Sequence, residues 1–186
     1  MTIAAVVLGA GGGSRFEGPT SKLLAPFRGR ALVSWAVAAA LDAGLDETVV
    51  VTGSVELSAA LPADVTVLHN QAWASGIASS LGVALDWCRR QGHGAAVIGL
   101  GDQPLVPSAA WRAVAGATGN QIVVATYSGR RRNPVKLDCS VWPLVPATGD
   151  AGARALMRSR PELVGEVACP GDPADVDTVE DLRTWS

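Results

Sequence analysis

Charge is scarce in this chain. Asp, Glu, Lys and Arg make up 17% of its 186 residues and leave a net charge of −2. That balance excludes the basic field on which nucleic-acid binding draws. The one dense basic run, Arg130-Arg131-Arg132, reads as a solvated turn. Cysteine is scarce as well. Cys88, Cys139 and Cys169 are odd in number, far apart and without a CxxC pair, which argues against a disulfide framework or a zinc site and for reduced thiols in a cytoplasmic protein. There are two histidines, His69 and His93. They stand apart, read as ordinary turn residues, and leave no Ser-His-Asp or Cys-His arrangement for nucleophilic catalysis. No apolar run is long enough to span a membrane, and the first lacks a basic leader and is soon broken by glycines. The expectation is a soluble cytoplasmic protein with neither membrane nor nucleic-acid partners.

Hydrophobic residues, by contrast, reach 48%, ample for a core, and the length suits one domain spanning residues 1–186. Short β-branched runs alternate with longer alanine-rich segments. Strands are predicted over residues 3–8, 48–52, 65–68, 95–100, 122–127, 133–137 and 163–167. Helices are predicted over 32–43, 77–90, 109–115 (capped by Ser108), 149–159 and 179–185. Leu81, Leu85 and Cys88 share one helical face. Such alternation implies an α/β fold, with a mostly parallel sheet between helical layers.

The first strand runs into Gly9-Ala10-Gly11-Gly12-Gly13-Ser14-Arg15, with Lys22-Leu23-Leu24 beyond it. Glycines let a backbone turn tightly and bring its N–H groups to phosphate, and Arg15 and Lys22 add the positive charge a triphosphate needs. The P-loop pattern fails, because Gly18 is followed by Pro19 and Lys22 by Leu23. The dinucleotide fingerprint fails too: its third glycine is missing, and the second strand ends Val51-Thr52-Gly53-Ser54 without an acid.

What remains is similar to the LAAGxSxRMGxxKxL signature of nucleotidyltransferases with a glycosyltransferase-A-like fold. Within them the chain most resembles the molybdenum cofactor cytidylyltransferases. Further motifs follow in that family's order: Asn70-Gln71-Ala72-Trp73-Ala74-Ser75-Gly76 with Ser79-Ser80-Leu81, Gly101-Asp102-Gln103-Pro104-Leu105-Val106, Asn133-Pro134-Val135, Gly149-Asp150-Ala151-Gly152-Ala153-Arg154, and Asp175-Val176-Asp177-Thr178-Val179-Glu180-Asp181-Leu182. The departures lie in the first loop. Gly9 stands for alanine, Gly13 for serine and Phe16 for methionine, and the Arg15-to-Lys22 interval is two residues longer.

The resemblance implies a three-layer α/β/α sandwich and transfer of CMP from CTP to the terminal phosphate of a molybdopterin-type cofactor. Such a phosphate is already anionic, so the enzyme needs alignment and charge neutralisation more than a general base. Asp102 and Asp177 would hold Mg²⁺, and Arg15 and Lys22 the β- and γ-phosphates. Leu8, Gly9, Ala10, Gly11, Gly12, Gly13, Ser14, Thr52, Gly53, Asn70, Gly76, Ser79, Ser80 and Gly101 would line the nucleotide, with Asn133 and Arg154 on the acceptor side. Blander readings stand beside these: Asp102 as a turn residue, Asp177 or Thr178 as a helix cap, the serine pair as a cap, Trp73 as core, Asp175 as structural. Other members of this superfamily leave open guanylyl transfer, sugar-phosphate nucleotidyl transfer, a nicotinamide-dependent reductase and a cofactor-delivery protein serving a client molybdenum hydroxylase. The segment Gly76-Ile77-Ala78-Ser79-Ser80-Leu81 favours the cytidylyl branch over the guanylyl one. A monomer or weak homo-oligomer is expected.

Overall fold

A computed structural model describes residues 1–13, 16–18 and 20–185. Seven strands form the central sheet: β1 (Ile3–Gly9), β4 (Glu47–Thr52), β5 (Thr66–His69), β6 (Ala95–Leu100), β7 (Ile122–Tyr127), β8 (Arg130–Asp138) and β9 (Val164–Ala168), in the order β5-β4-β1-β6-β8-β7-β9. Every neighbouring pair is parallel except the two made by β8, which runs antiparallel to β6 and β7. A two-residue-per-strand hairpin, β2 (Pro26–Phe27) with β3 (Arg30–Ala31), stands apart from this sheet.

Strand periodicity decides which side chains meet which helices. Ala4, Val6 and Leu8 of β1 face one layer, containing α2 (Ile77–Gln91) and α4 (Ala153–Ser159). Ala5 and Val7 face the other, containing α1 (Leu32–Asp42) and α3 (Ser108–Gly116). The result is the expected three-layer α/β/α arrangement with a mostly parallel sheet. A smaller cluster of Phe27, Leu32 and Val176, flanked by Trp35, Leu182 and Trp185, fastens the last helix, α5 (Val179–Trp185), to the β2–β3 hairpin. No helix among the described residues is long and apolar enough to cross a membrane.

Several local readings need correction. Ser108 does not cap α3; it is the first helical residue, and Pro107 occupies the cap position. The helix expected from residue 149 begins at Ala153. Gly149 and Gly152 both have positive φ, and the Gly149 carbonyl accepts from the Ala78 N–H instead of starting a turn of helix. The basic run is not a turn: Arg130, Arg131 and Arg132 are paired residues of β8, and Ser128-Gly129, both at positive φ, make a two-residue turn. His93 is buried, and its Nε2 lies 2.7 Å from the Glu47 carboxylate, which also accepts from Thr66 and Trp87.

Candidate active site

The carboxyl ends of β1, β4, β5 and β6 all open at one edge of the sheet, where open α/β folds bind ligands. Leu8 and Gly9 end β1 there, and Ala10, Gly11, Gly12 and Gly13 continue as loop. Gly101 donates its N–H to the Leu8 carbonyl, so Asp102 emerges beside the glycine loop. Thr52 closes β4, and Ser54 donates from its backbone to Ala10 and from its hydroxyl to Gly11. At Gly53 a Cβ would come within 2.7 Å of both the Ala10 carbonyl and the Trp73 Cβ. Trp73 also packs on Gly12 and joins the core cluster of the α2 layer. It buttresses the loop. Ser14 and Arg15 lie outside the described residues.

The centre of the site is an ion triad. Lys22 opens a short 3-10 turn, Lys22–Leu24, and its Nζ donates to Asp102 Oδ2 at 2.7 Å and to Asp177 Oδ1 at 3.0 Å. Burial opposes the Lys22 charge, but the two carboxylates outweigh it and hold the ammonium above its ordinary pKa. Residues 80 and 155 positions apart in sequence thus share one contact, as the motif order implies. The last segment is held by backbone as well, since Val176 N–H donates to the Asp102 carbonyl. The cap question resolves in favour of Thr178. Its hydroxyl accepts from the Asp181 N–H, while the Asp181 carboxylate accepts from the Thr178 and Asp177 N–H groups, and the Asp177 side chain accepts from Lys22.

Two neighbours received less weight from the sequence. Gln103 is buried, and its Nε2 donates to Asp175 Oδ1 at 2.8 Å and to the Pro173 carbonyl, while its Oε1 has no partner. Burial first, then the Asp102 and Asp177 charges, push the Asp175 carboxyl above its ordinary pKa. Asp175 is therefore structural in what it holds, yet it also lines the site.

Asn70, Ser79 and Ser80 form a knot rather than an open wall. Asn70 is buried, donates from Nδ2 to both serine hydroxyls at 2.9 Å, and accepts from the Ala72 N–H. Ser79 in turn donates to Gly76 and Ala72 carbonyls, so neither serine caps α2 through its side chain. These residues fix the loop that precedes α2. Gly76, at φ +105°, lies against Gly149 so closely that a Cβ would sit 2.6 Å from its carbonyl carbon.

Below this edge lies a cavity of about 630 Å³. Ile77, Leu81, Ile98, Val124 and Met157 give it an apolar floor, while Asp102, Asp175 and Asp177 contribute carboxylates. Asn133 and Arg154 line it together with Arg131, Arg132 and Arg158. An irregularity in the β7–β8 ladder puts Asn133 there: Val124 pairs with Val135 but Ala125 with Arg132, so Asn133 and Pro134 bulge out of register.

The donor set suits a divalent ion. Two carboxylates already converge on one cation, and Gln103, whose buried Oε1 has no partner, lines the same cavity. Among the described residues no group of three or more His, Cys, Asp or Glu is placed to cage a metal. A divalent ion that takes one or two carboxylates and completes its shell with water and phosphate fits that sparse set.

Comparison with known proteins gives the family and the fold. Residues 5–164 match the MobA-like NTP transferase domain. The chain is 33% identical to the nicotine blue oxidoreductase of Paenarthrobacter nicotinovorans, over 97% of its own length and 94% of that protein's. Its fold superposes on Rv0371c of Mycobacterium tuberculosis H37Rv with a TM-score of 0.85 at 30% identity, covering 99% of this chain and 97% of the other. A structure of that mycobacterial protein in complex with manganese superposes at 0.79 with 29% identity, covering 100% and 98%. A nucleotidyl transferase from Methanothermobacter gives 0.81 at 26% identity, covering 99% and 96%.

Proposed function

The chain belongs to the MobA-like NTP transferase family, and from that premise we propose that it transfers CMP from CTP to the terminal phosphate of a molybdopterin-type cofactor. The observation that carries this reading is the convergence of Lys22, Asp102 and Asp177 at the mouth of the glycine loop. An acceptor phosphate oxygen would attack the α-phosphorus. That forms one P–O bond and breaks the α–β bridge, whose electron pair leaves with pyrophosphate. Asp102 and Asp177 would hold Mg²⁺, which supplies Lewis-acid neutralisation of phosphate charge when bound. Lys22 has three ammonium donors, two committed to the carboxylates and one remaining for a β- or γ-phosphate oxygen. Arg15 would share that task. Residues 9–13 continue from the carboxyl end of β1, and their N–H groups would cradle phosphate. The Asn70 knot would position the loop around the base and ribose, and Asn133 and Arg154 would meet the acceptor.

Pyrophosphate release with Mg²⁺, comparing CTP, GTP and ATP with and without molybdenum cofactor, tests the reading. Release that needs both CTP and cofactor supports it. Release with GTP alone moves the chain to guanylyl transfer.

A second reading rests on the 33% identity to an oxidoreductase: a nicotinamide-dependent reductase. NADH oxidation with candidate dyes, in the absence of any nucleotide triphosphate, would favour it. Against it, β4 ends at Thr52 and Gly53, with no carboxylate there for a ribose 2′-hydroxyl.

A further inference from the structure

Residues 22–28 and 177–185 are fastened to each other at both ends. At one end Lys22 donates to Asp177. At the other the Nε of Arg28 donates to the Trp185 carbonyl at 2.9 Å. Trp185 is the last residue of α5, where carbonyls lack a partner within the helix and a cation is favoured. With seven residues, none of them buried, α5 is too short to hold itself in place. The hairpin that offers Arg28 is itself anchored. Trp35 of α1 donates its Nε1 to the Phe27 carbonyl at 2.9 Å, and Ala25, just before β2, donates its N–H to the Lys22 carbonyl.

The backbone at Arg28 suits another residue type better. Phe27 pairs with Arg30, so Arg28 and Gly29 make a two-residue turn, with φ of +45° and +83°. Such turns favour Asn or Gly at the first position, because a longer side chain is strained at positive φ. What Arg28 offers against that strain is its side chain. The guanidinium reaches Trp185 and lies 5.1 Å from the centre of the buried Phe27 ring. A strained residue whose side chain bridges distant segments is a candidate for a functional role.

We propose that Arg28 is a positioning residue for the ion triad, acting through α5 on Asp177. Its clasp holds the C-terminal end of the helix and the Thr178–Asp181 bonds hold the N-terminal end, which sets Asp177 against Lys22. Lys22, the hairpin, α5 and Asp177 thus form a closed ring in which each clasp supports the other. The catalytic consequence, a carboxylate kept in register with the metal and the α-phosphate, rests on the nucleotidyl-transfer reading. The ring itself does not.

Two substitutions separate the side chain from the turn. Arg28→Gly relaxes the backbone and removes the clasp. Arg28→Lys keeps the strain and keeps a cation at the carbonyl. Urea unfolding of each, with and without Lys22→Met, reads the coupling. Lys22→Met should lower the midpoint of the parent roughly twice as far as that of Arg28→Gly. In Arg28→Lys it should act nearly as it does in the parent. A residue that serves the turn alone would give the same Lys22→Met shift in all three proteins, and that result overturns the proposal. An Arg28→Lys protein that behaves like Arg28→Gly overturns it too. Pyrophosphate release is a separate measurement. With CTP and cofactor, Arg28→Gly should lower kcat about tenfold or more with the CTP KM near the parent's, and Arg28→Lys should recover most of the loss. A parent-like kcat in Arg28→Gly overturns the positioning role. A protein that shows the coupling but releases no pyrophosphate with any nucleotide keeps the ring and loses the transfer reading.

Discussion

Lys22 weighs heavily in the charge balance of the site, because its ammonium touches both Asp102 and Asp177. Removing it takes away the cation that two part-buried carboxylates share. Lys22→Met should therefore cost about 1–3 kcal/mol of stability and weaken triphosphate binding, read as a lower midpoint in urea and a higher KM for CTP. Unchanged nucleotide affinity would detach Lys22 from the phosphate role. Asp102→Ala behaves differently. The fold should survive, since the Asp102 backbone carbonyl still receives the Val176 N–H, but turnover should fall by about a thousandfold or more with one metal ligand gone. Near-normal kcat in a folded variant would remove Asp102 from the metal site. Cysteine makes the opposite point. Burial, with help from Glu47, pushes the Cys88 thiol up to about 12, so this residue is core and not a nucleophile.

Among the elements, α5 carries the most function for its size. Seven residues long, it is stabilised by the reciprocal Thr178–Asp181 bonds and by Leu182 and Trp185 against the β2–β3 hairpin. Thr178→Ala should cost about 1 kcal/mol and speed amide exchange across residues 177–185. It should also lower kcat with little change in the CTP KM, because Asp177 then loses its fixed approach to Lys22. Exchange unchanged from the parent would mean that the cap holds nothing. How far such elements can be read from sequence depends on what sets their ends. Strand β6 is legible, since six residues without a polar side chain between loop signals are too short for a typical helix and read as a buried strand. The start of α4 is not, because its entry conformation comes from Gly149 packing on Gly76, a contact between segments some seventy positions apart. Strands β2 and β3 have two residues each and carry no periodicity to detect. In the site, ordered motifs brought Lys22, Asp102 and Asp177 to one place in advance. Arg131, Arg132 and Arg158 escaped, because a basic run and a surface helix look the same in sequence whether they face water or a cavity.

Across the whole molecule, chemistry and stability sit at opposite edges of the sheet. The ligand edge carries positive-φ glycines, an orphaned Gln103 oxygen and clustered carboxylates. At the other edge Glu47, which opens β4, gathers Thr66 from β5, Trp87 from α2 and His93 from the turn before β6. One carboxylate therefore fastens three elements to a fourth. Burial raises the Glu47 pKa, but the bonds from His93, Thr66 and Trp87 outweigh it and hold the group below its ordinary value. A depressed carboxyl binds protons more weakly folded than unfolded. Its stabilisation is complete above the unfolded value, about 4.3, and drains away as pH falls through the lower folded value. Glu47→Gln should thus lower the melting temperature at neutral pH, where the ionised group contributes fully. It should also flatten the acid limb, so that parent and variant converge below about pH 4. Thermal melts of both proteins over that range decide the matter: parallel acid limbs would show that Glu47 does not carry the pH dependence. CTP-dependent turnover at neutral pH should be the same in the two, because the knot lies at the far end of β4 from Thr52 and the glycine loop.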